Sequence, residues 1–250
     1  MGQDQPPKIE IKFAVDGEDT EKAMAFLGLT GPPDEERTVH FFDQKDPEKE
    51  KLRLLKNGLI VRVRQTLRGN DPDDATFKLR SDPGDSAAAK AAKEFGETHD
   101  GEAKFEGDQN AGKDERQSFS IKRSFDPRVV SRVLTGTADL GSLFGPDAKT
   151  LLERAGFSFG DLQYFGPIWA QVWKLKLPET NTTVTAELWH AGTKHLLEIS
   201  DKKSRDGNKA ADFAKELQKV MLDHAKVKQL EGSKTEFALQ QFQPARLPLK

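Results

Sequence analysis

Charged side chains two residues apart, most of them basic and set between bulky apolar neighbours, recur along this chain. Lys8-Ile9-Glu10-Ile11-Lys12-Phe13 is the first instance, followed by Arg62 and Arg64 within Leu59-Ile60-Val61-Arg62-Val63-Arg64 and by Lys78 and Arg80 within Ala75-Thr76-Phe77-Lys78-Leu79-Arg80. Lys122 follows Ile121, and Lys174 and Lys176 alternate with Trp173, Leu175 and Leu177. Glu187 and Glu198 occupy similar frames, Thr185-Ala186-Glu187-Leu188 and Leu197-Glu198-Ile199. Strand side chains alternate between faces, so this spacing gathers the charges on one face and the apolar residues on the other. The chemistry such a face suits is anion capture: a guanidinium fork takes two phosphate oxygens and an ammonium acts as a point charge. A single strand of this kind means little, because any half-solvated antiparallel strand alternates. The information lies in its recurrence at one parity across several strands.

Two faces could meet water, and three features select the apolar one as the buried exterior. It is bulky (Ile9, Ile11, Phe13, Val61, Val63, Phe77, Leu79, Trp173), and the amphipathic helices of the chain need an apolar surface to pack on. The charged parity is nearly uniform in chemistry, whereas a solvated face mixes neutral polar residues with both charges. A barrel of about eight strands encloses a lumen just wide enough for side chains or one small ligand. The expected fold is therefore α+β: an antiparallel β-barrel of about eight strands, a tunnel with a charged lumen and helices packed outside. Cations crowded into such a lumen repel one another and call for a polyanion.

The elements that must position these residues follow from periodicity and turn signals. Strands are expected at residues 8–15, 38–42, 59–65, 75–80, 118–123, 168–177, 182–190 and 195–200, with Asn57-Gly58 and Gly69-Asn70-Asp71-Pro72 as turns. Helices are expected at 20–27, from Pro127, at 147–155 and at 208–227, where Ala210, Phe213, Ala214, Leu217, Val220 and Met221 form a stripe of helical period. Residues 48–56 read as a polar or helical connector. Residues 81–117 are rich in Ala, Gly, Asp, Lys and Glu and read as a polar, mobile insertion in which only 102–108 alternates, so Lys104 and Glu106 belong either to a lumen strand or to the insertion. One domain is expected over residues 8–228, with 229–250 as a loosely ordered tail.

Composition narrows the functions. The 250 residues carry 32% charged side chains but a formal net charge of only −2, so no global basic field draws the chain to nucleic acid, and any anion site is local. The absence of cysteine excludes disulfides and thiolate chemistry. His40, His190 and His195 lack the spacing of a histidine metal site, and Ser118 and Ser120 have no neighbouring base. No secretory leader and no apolar run of membrane length is read, so the expectations are a cytoplasmic location, no membrane or nucleic-acid partner, a small-molecule ligand, and a monomer or homodimer.

In order and spacing these segments resemble the CYTH superfamily, the triphosphate tunnel metalloenzymes, from Lys8 to about Leu222 apart from the insertion. Glu10 and Lys12 match the end of the family's Glu-x-Glu-x-Lys signature. Phe41-Phe42-Asp43, Arg62-x-Arg64 and Lys78-x-Arg80 look like its following strands, and Glu187-Leu188-Trp189 and Glu198-Ile199-Ser200 with Lys202 like its closing ones. Lys8 stands where the first signature Glu would be, one carboxylate fewer and one cation more. The resemblance implies Mg²⁺ or Mn²⁺ held by Glu10, Glu187, Glu198 and Glu106. It also implies a triphosphate bound by Lys12, Arg62, Arg64, Lys78, Arg80, Lys122, Lys174 and Lys202, and catalysis by Glu10, Lys12 and Arg64. The implied activity is metal-dependent hydrolysis of inorganic tripolyphosphate or an organic triphosphate. Two alternatives stand beside it: a class IV adenylate cyclase making cyclic AMP from ATP, and a noncatalytic polyphosphate or nucleotide-binding module.

Overall fold

A computed structural model describes residues 6–44, 52–96, 101–245 and 247. Nine strands close into a barrel: β1 (Lys8–Asp16), β2 (Glu35–Asp43), β3 (Leu59–Arg68), β4 (Asp73–Ser81), β5 (Glu102–Asn110), β6 (Arg116–Phe125), β7 (Gln163–Lys176), β8 (Thr183–Ala191) and β9 (Lys194–Ser204). Around the wall they run β1-β5-β6-β4-β3-β2-β7-β8-β9, and β9 returns to β1. The barrel is mixed rather than wholly antiparallel, because β1 and β5 pair in parallel, Glu10 opposite Asp108. The hairpin expected between the two arginine- and lysine-bearing strands is β3-β4, with Ile60 opposite Lys78 and Arg62 opposite Thr76.

The ninth strand comes from the stretch read as a polar insertion. Within 81–117 lie α3 (Ala87–Phe95), which buries Ala88, Ala89 and Ala91, and β5, a stave of the barrel. Small alanines bury a helix face without a bulky apolar stripe, and a parallel partner distant in sequence leaves no hairpin signal, so neither element stands out locally. Residues 97–100 of this stretch, and 48–51 of the connector before α2 (Arg53–Lys56), lie outside the described residues.

The apolar parity faces outward and is covered by helices. Ile9, Ile11 and Phe13 of β1, with Trp173, Ala186 and Ile199, pack against α1 (Glu18–Phe26) and α6 (Lys209–Gln218), which supply Ala23, Phe213 and Leu217. Val61, Val63, Phe77, Phe119 and Ile121 pack against α4 (Pro127–Leu134) and α5 (Pro146–Arg154) through Val130, Val133 and Leu152. Phe13, Phe77 and Phe119 are fully buried, and each contributes about 3 kcal/mol by leaving water. The long C-terminal helix expected over 208–227 divides into α6 and a π-helical turn, Lys219–His224.

The described part of the tail contains a helix. Ser233 caps α7 (Lys234–Leu239) by accepting from the Glu236 N–H at 3.1 Å. This helix packs Ala238 and Leu239 into a cluster with Val39, Phe41, Ile60, Phe165, Ile168, Ala170 and Trp189. Register places these strand residues at the same parity as the charged ones, since Val39 lies opposite Arg64, Phe41 opposite Arg62 and Trp189 opposite Leu196. The helix therefore seats on the lumen side of β2, β7 and β8. Among the described residues no helix is long and apolar enough to cross a membrane.

Candidate functional site

The barrel encloses a cavity of about 660 Å³ whose lining is dominated by charge. Glu10, Lys12, Arg62, Arg64, Lys78, Arg80, Glu106, Lys122, Glu187, Glu198 and Lys202 all line it, as do Lys104, Asp108 and Lys234. Lys174 does not. It shares the lumen parity of Val172 but is exposed, because β2 ends at Glu35 opposite Val172 and residue 174 extends past the closed wall. Lys176 is exposed as well.

One carboxylate organises the basic wall. Asp108 of β5 meets Lys12 at 3.0 Å, Lys78 at 3.1 Å and Arg80 at 3.0 Å, while Lys12 also pairs with Glu10 at 3.0 Å. Burial alone would raise the carboxyls of Glu10 and Asp108, yet the surrounding cations hold both well below the usual carboxylate range. Lys12, between two carboxylates, is held firmly protonated despite its burial. The turn that brings Arg80 here uses Gly58 at φ +72°, whose carbonyl accepts from the Arg80 N–H at 2.8 Å. A Cβ at residue 58 would collide with the Arg80 carbonyl oxygen.

A second carboxylate, Asp74, binds Arg64 through Nε at 2.9 Å and Nη2 at 2.6 Å, with Lys122 at 3.7 Å. Arg64 is thus already saturated on one side by an internal partner. Arg62 is not: its Nη2 lies 3.4 Å from the Thr76 hydroxyl, and among the described residues its Nε and that of Arg80 have no hydrogen-bond partner. Burial, followed by repulsion from Arg64, lowers Arg62 to about 10, and burial lowers Lys78 to about 8 against the pull of Asp108. A guanidinium and an ammonium destabilised in this way are cations short of anions.

The carboxylates expected to hold metal are all taken up by cations of the chain, Glu187 and Glu198 sharing one. Glu10 pairs with Lys12, Glu106 with Lys202 at 2.7 Å, and Glu187 and Glu198 with Lys234 at 2.5 and 2.7 Å. Among the described residues no group of three or more His, Asp or Glu side chains is placed to hold a metal ion. The donor set present does not fit a divalent cation. Lys8, set in the sequence against the first signature acid, is exposed at the start of β1 and outside the cavity lining. Asp43 is structural: its carboxylate accepts from the backbone N–H groups of Gln44, Leu54 and Leu55 and fixes the start of α2.

Asp74, Asp108 and Lys234, which organise the ion pairs of the site, were not singled out in the sequence, and neither were Lys113, Asp114, Arg116 and Glu236 of the cavity lining. Asp108 carried a signal, the last position of the weak 102–108 alternation. Asp74 sits one residue before the expected strand, and Lys234 lies in the tail.

No protein-family model matches the chain, and none of the curated proteins does. Solved structures do. A candidate adenylyl cyclase from Hippeastrum, described as having a dominant triphosphatase activity, superposes with a TM-score of 0.56 at 14% identity, covering 96% of this chain and 98% of that one. A candidate adenylate cyclase from Bacillus halodurans superposes with a TM-score of 0.54 at 10% identity, covering 95% and 98%. At these identities the likeness is one of fold alone: the chain shares the overall fold of these two structures over nearly its whole length.

Proposed function

We propose that this protein binds a linear triphosphate, free or as the arm of an organic molecule, along the basic wall of the lumen. The observation that carries this reading is the pair of buried, under-neutralised cations, Arg62 with its unpartnered Nε and Lys78 lowered to about 8, next to Lys12 and Arg80 on the shared Asp108. A rod of several negative charges matches cations spaced along strands β1, β3 and β4 better than a compact monoanion does. Arg62 and Arg80 offer forks for two oxygens each, and Lys12 and Lys78 supply point charges.

Hydrolysis of the bound triphosphate is the second reading, favoured by the state of Lys78. Burial eases loss of the Lys78 proton in the free protein, and a bound triphosphate would hold that proton on, so Lys78 would serve hydrolysis as a fixed positive charge beside a departing phosphate oxygen. The description of the Hippeastrum neighbour as a triphosphatase points the same way.

Calorimetry with tripolyphosphate, run beside a phosphate-release assay in Mg²⁺ or Mn²⁺, separates the two. Binding at a single, salt-sensitive site that Arg62→Ala weakens is the expected result. Heat indistinguishable from dilution up to millimolar tripolyphosphate would refute the binding reading, and binding without phosphate release would leave capture as the function. Incubation with ATP, read for cyclic AMP, tests the cyclase alternative.

A further inference from the structure

Glu187 and Glu198 lie directly opposite each other on β8 and β9, both facing the lumen. Two buried carboxylates side by side repel unless a cation lies between them. Here the cation belongs to the chain. Lys234 reaches in from the first position of α7, its Nζ 2.5 Å from Glu187 and 2.7 Å from Glu198 and 4.3 Å from the centre of the Trp189 ring. Burial would raise Glu187, but Lys234 first and Arg37 next bring it well below the usual carboxylate range.

The ammonium is placed by packing, not by a loose side chain. Ala238 and Leu239 hold α7 against the apolar wall, Ser233 caps it, and the Leu230 N–H donates to the Ala14 carbonyl at 2.7 Å just upstream. A separate departure points in the same direction. The acid at the start of β1 that would extend a metal-binding set is Lys8, and the acid that remains, Glu10, is neutralised by Lys12.

We propose that Lys234 is a built-in counter-ion that takes the place of a divalent cation between Glu187 and Glu198, so that this lumen captures its triphosphate without metal. The clause about the ligand rests on the function proposed above; the clause about the carboxylate pair stands on its own.

The two clauses are tested separately. The full chain is titrated with Mn²⁺, the free ion being read by its electron paramagnetic resonance signal, and with tripolyphosphate by calorimetry in EDTA and in Mg²⁺. The wild-type protein is expected to leave Mn²⁺ free and to bind tripolyphosphate in EDTA at least as tightly as in Mg²⁺. Lys234→Met is expected to gain one Mn²⁺ site, which adding Glu187→Gln abolishes. The proposal is overturned if wild type binds Mn²⁺ at a site lost in Glu187→Gln, if its tripolyphosphate affinity falls about tenfold or more in EDTA, or if folded Lys234→Met gains no Mn²⁺. Near-UV circular dichroism reports folding. Should Lys234→Met fail to fold, Lys234→Gln takes its place, and the wild-type arms still decide. Absence of tripolyphosphate binding under both conditions would end the proposed function while the Mn²⁺ titrations ruled on the carboxylate pair.

Discussion

The two walls of this lumen are built from strands of one barrel and have opposite chemistry. Strands β1, β3, β4, β5 and β6 point Lys12, Arg62, Lys78, Arg80, Asp108 and Lys122 inward, whereas β2, β7 and β8 point Val39, Phe41, Ile168, Ala170 and Trp189 inward and bury them against α7. The apolar wall has its partner within the chain. The basic wall has fewer partners than cations: Asp108 serves three, Asp74 serves Arg64 and Lys122, and among the described residues Arg62 Nε has no hydrogen-bond partner. A closed side that is satisfied and an open side that is short of anions give the cavity a direction, and the proposed ligand belongs on β1-β5-β6-β4-β3 rather than on β2-β7-β8. The apolar side has charged exceptions too, and each is paired: Glu187 with Lys234, and Arg37 with Glu35 at the β2 end.

The sharpest way to break this contrast is to remove the hub of the basic wall. Asp108→Asn leaves Lys12, Lys78 and Arg80 buried without their shared carboxylate, and stability is expected to fall by about 3–5 kcal/mol, the usual cost of stranding buried charge. Tripolyphosphate should restore much of that loss, giving the variant a larger ligand-induced shift in the urea midpoint than wild type. A variant as stable as wild type, or one that tripolyphosphate fails to rescue, would show that the cations do not face a common anion site.

A paired substitution then compares the walls directly. Arg62→Ala removes a charged donor and is expected to cost about 1.5–3 kcal/mol of tripolyphosphate binding, roughly a 10- to 150-fold rise in Kd. Phe41→Leu, directly across the β2-β3 pair, should lower stability by about 1 kcal/mol and leave Kd within about threefold. Calorimetry and urea denaturation on both variants read the two effects. Equal losses of affinity would mean that the ligand sits between the walls rather than on one.

How far this asymmetry could be read without coordinates depends on how local its signals are. The basic wall was legible because Arg62-x-Arg64 and Lys78-x-Arg80 announce a period of 2, and a period of 2 assigns a face. The outward turn of Ile11, Val63 and Trp173 followed from the need of α1, α4 and α6 for an apolar bed. The apolar wall was not legible, because Phe41, Ile168 and Ala170 look like any core strand, and which face they occupy depends on register with β3 and β8. Asp108 was missed as a hub because β5 carries few bulky residues and pairs in parallel with β1, a contact far apart in sequence. Lys234 was missed because α7 is one short turn-and-a-half in a polar tail, held by tertiary packing rather than by its own periodicity.

The charge deficit of the basic wall also predicts a pH dependence. Lys78 has been lowered to about 8 mainly by burial, with Arg80 and Lys12 adding to the push and Asp108 resisting it. The free protein therefore loses this charge as pH rises through about 8, whereas a bound triphosphate raises the Lys78 pKa and keeps the proton on. Binding takes up a proton across that window, and affinity is full below it and declines above it, with a slope approaching about one log unit per pH unit. Calorimetry in buffers of different ionisation enthalpy measures the uptake. Lys78→Met provides the baseline that removes the ligand's own titration, and an unchanged uptake in that variant would assign the proton elsewhere.

The smallest expected effect marks where the basic wall ends. Lys174 has the parity of the lumen but lies beyond the last β2-β7 pair, exposed to water that screens its charge. Lys174→Ala is accordingly expected to leave tripolyphosphate affinity and stability unchanged within about twofold and 0.5 kcal/mol, the range for an exposed charge. The same substitution at Arg62 should lie at least an order of magnitude away in Kd. Because the two residues share a pleat parity and differ in whether a neighbouring strand closes the wall around them, the comparison isolates enclosure as the variable. A Lys174→Ala loss approaching that of Arg62→Ala would place the ligand across the open end of β7, and the division into a basic and an apolar wall would then fail at its rim.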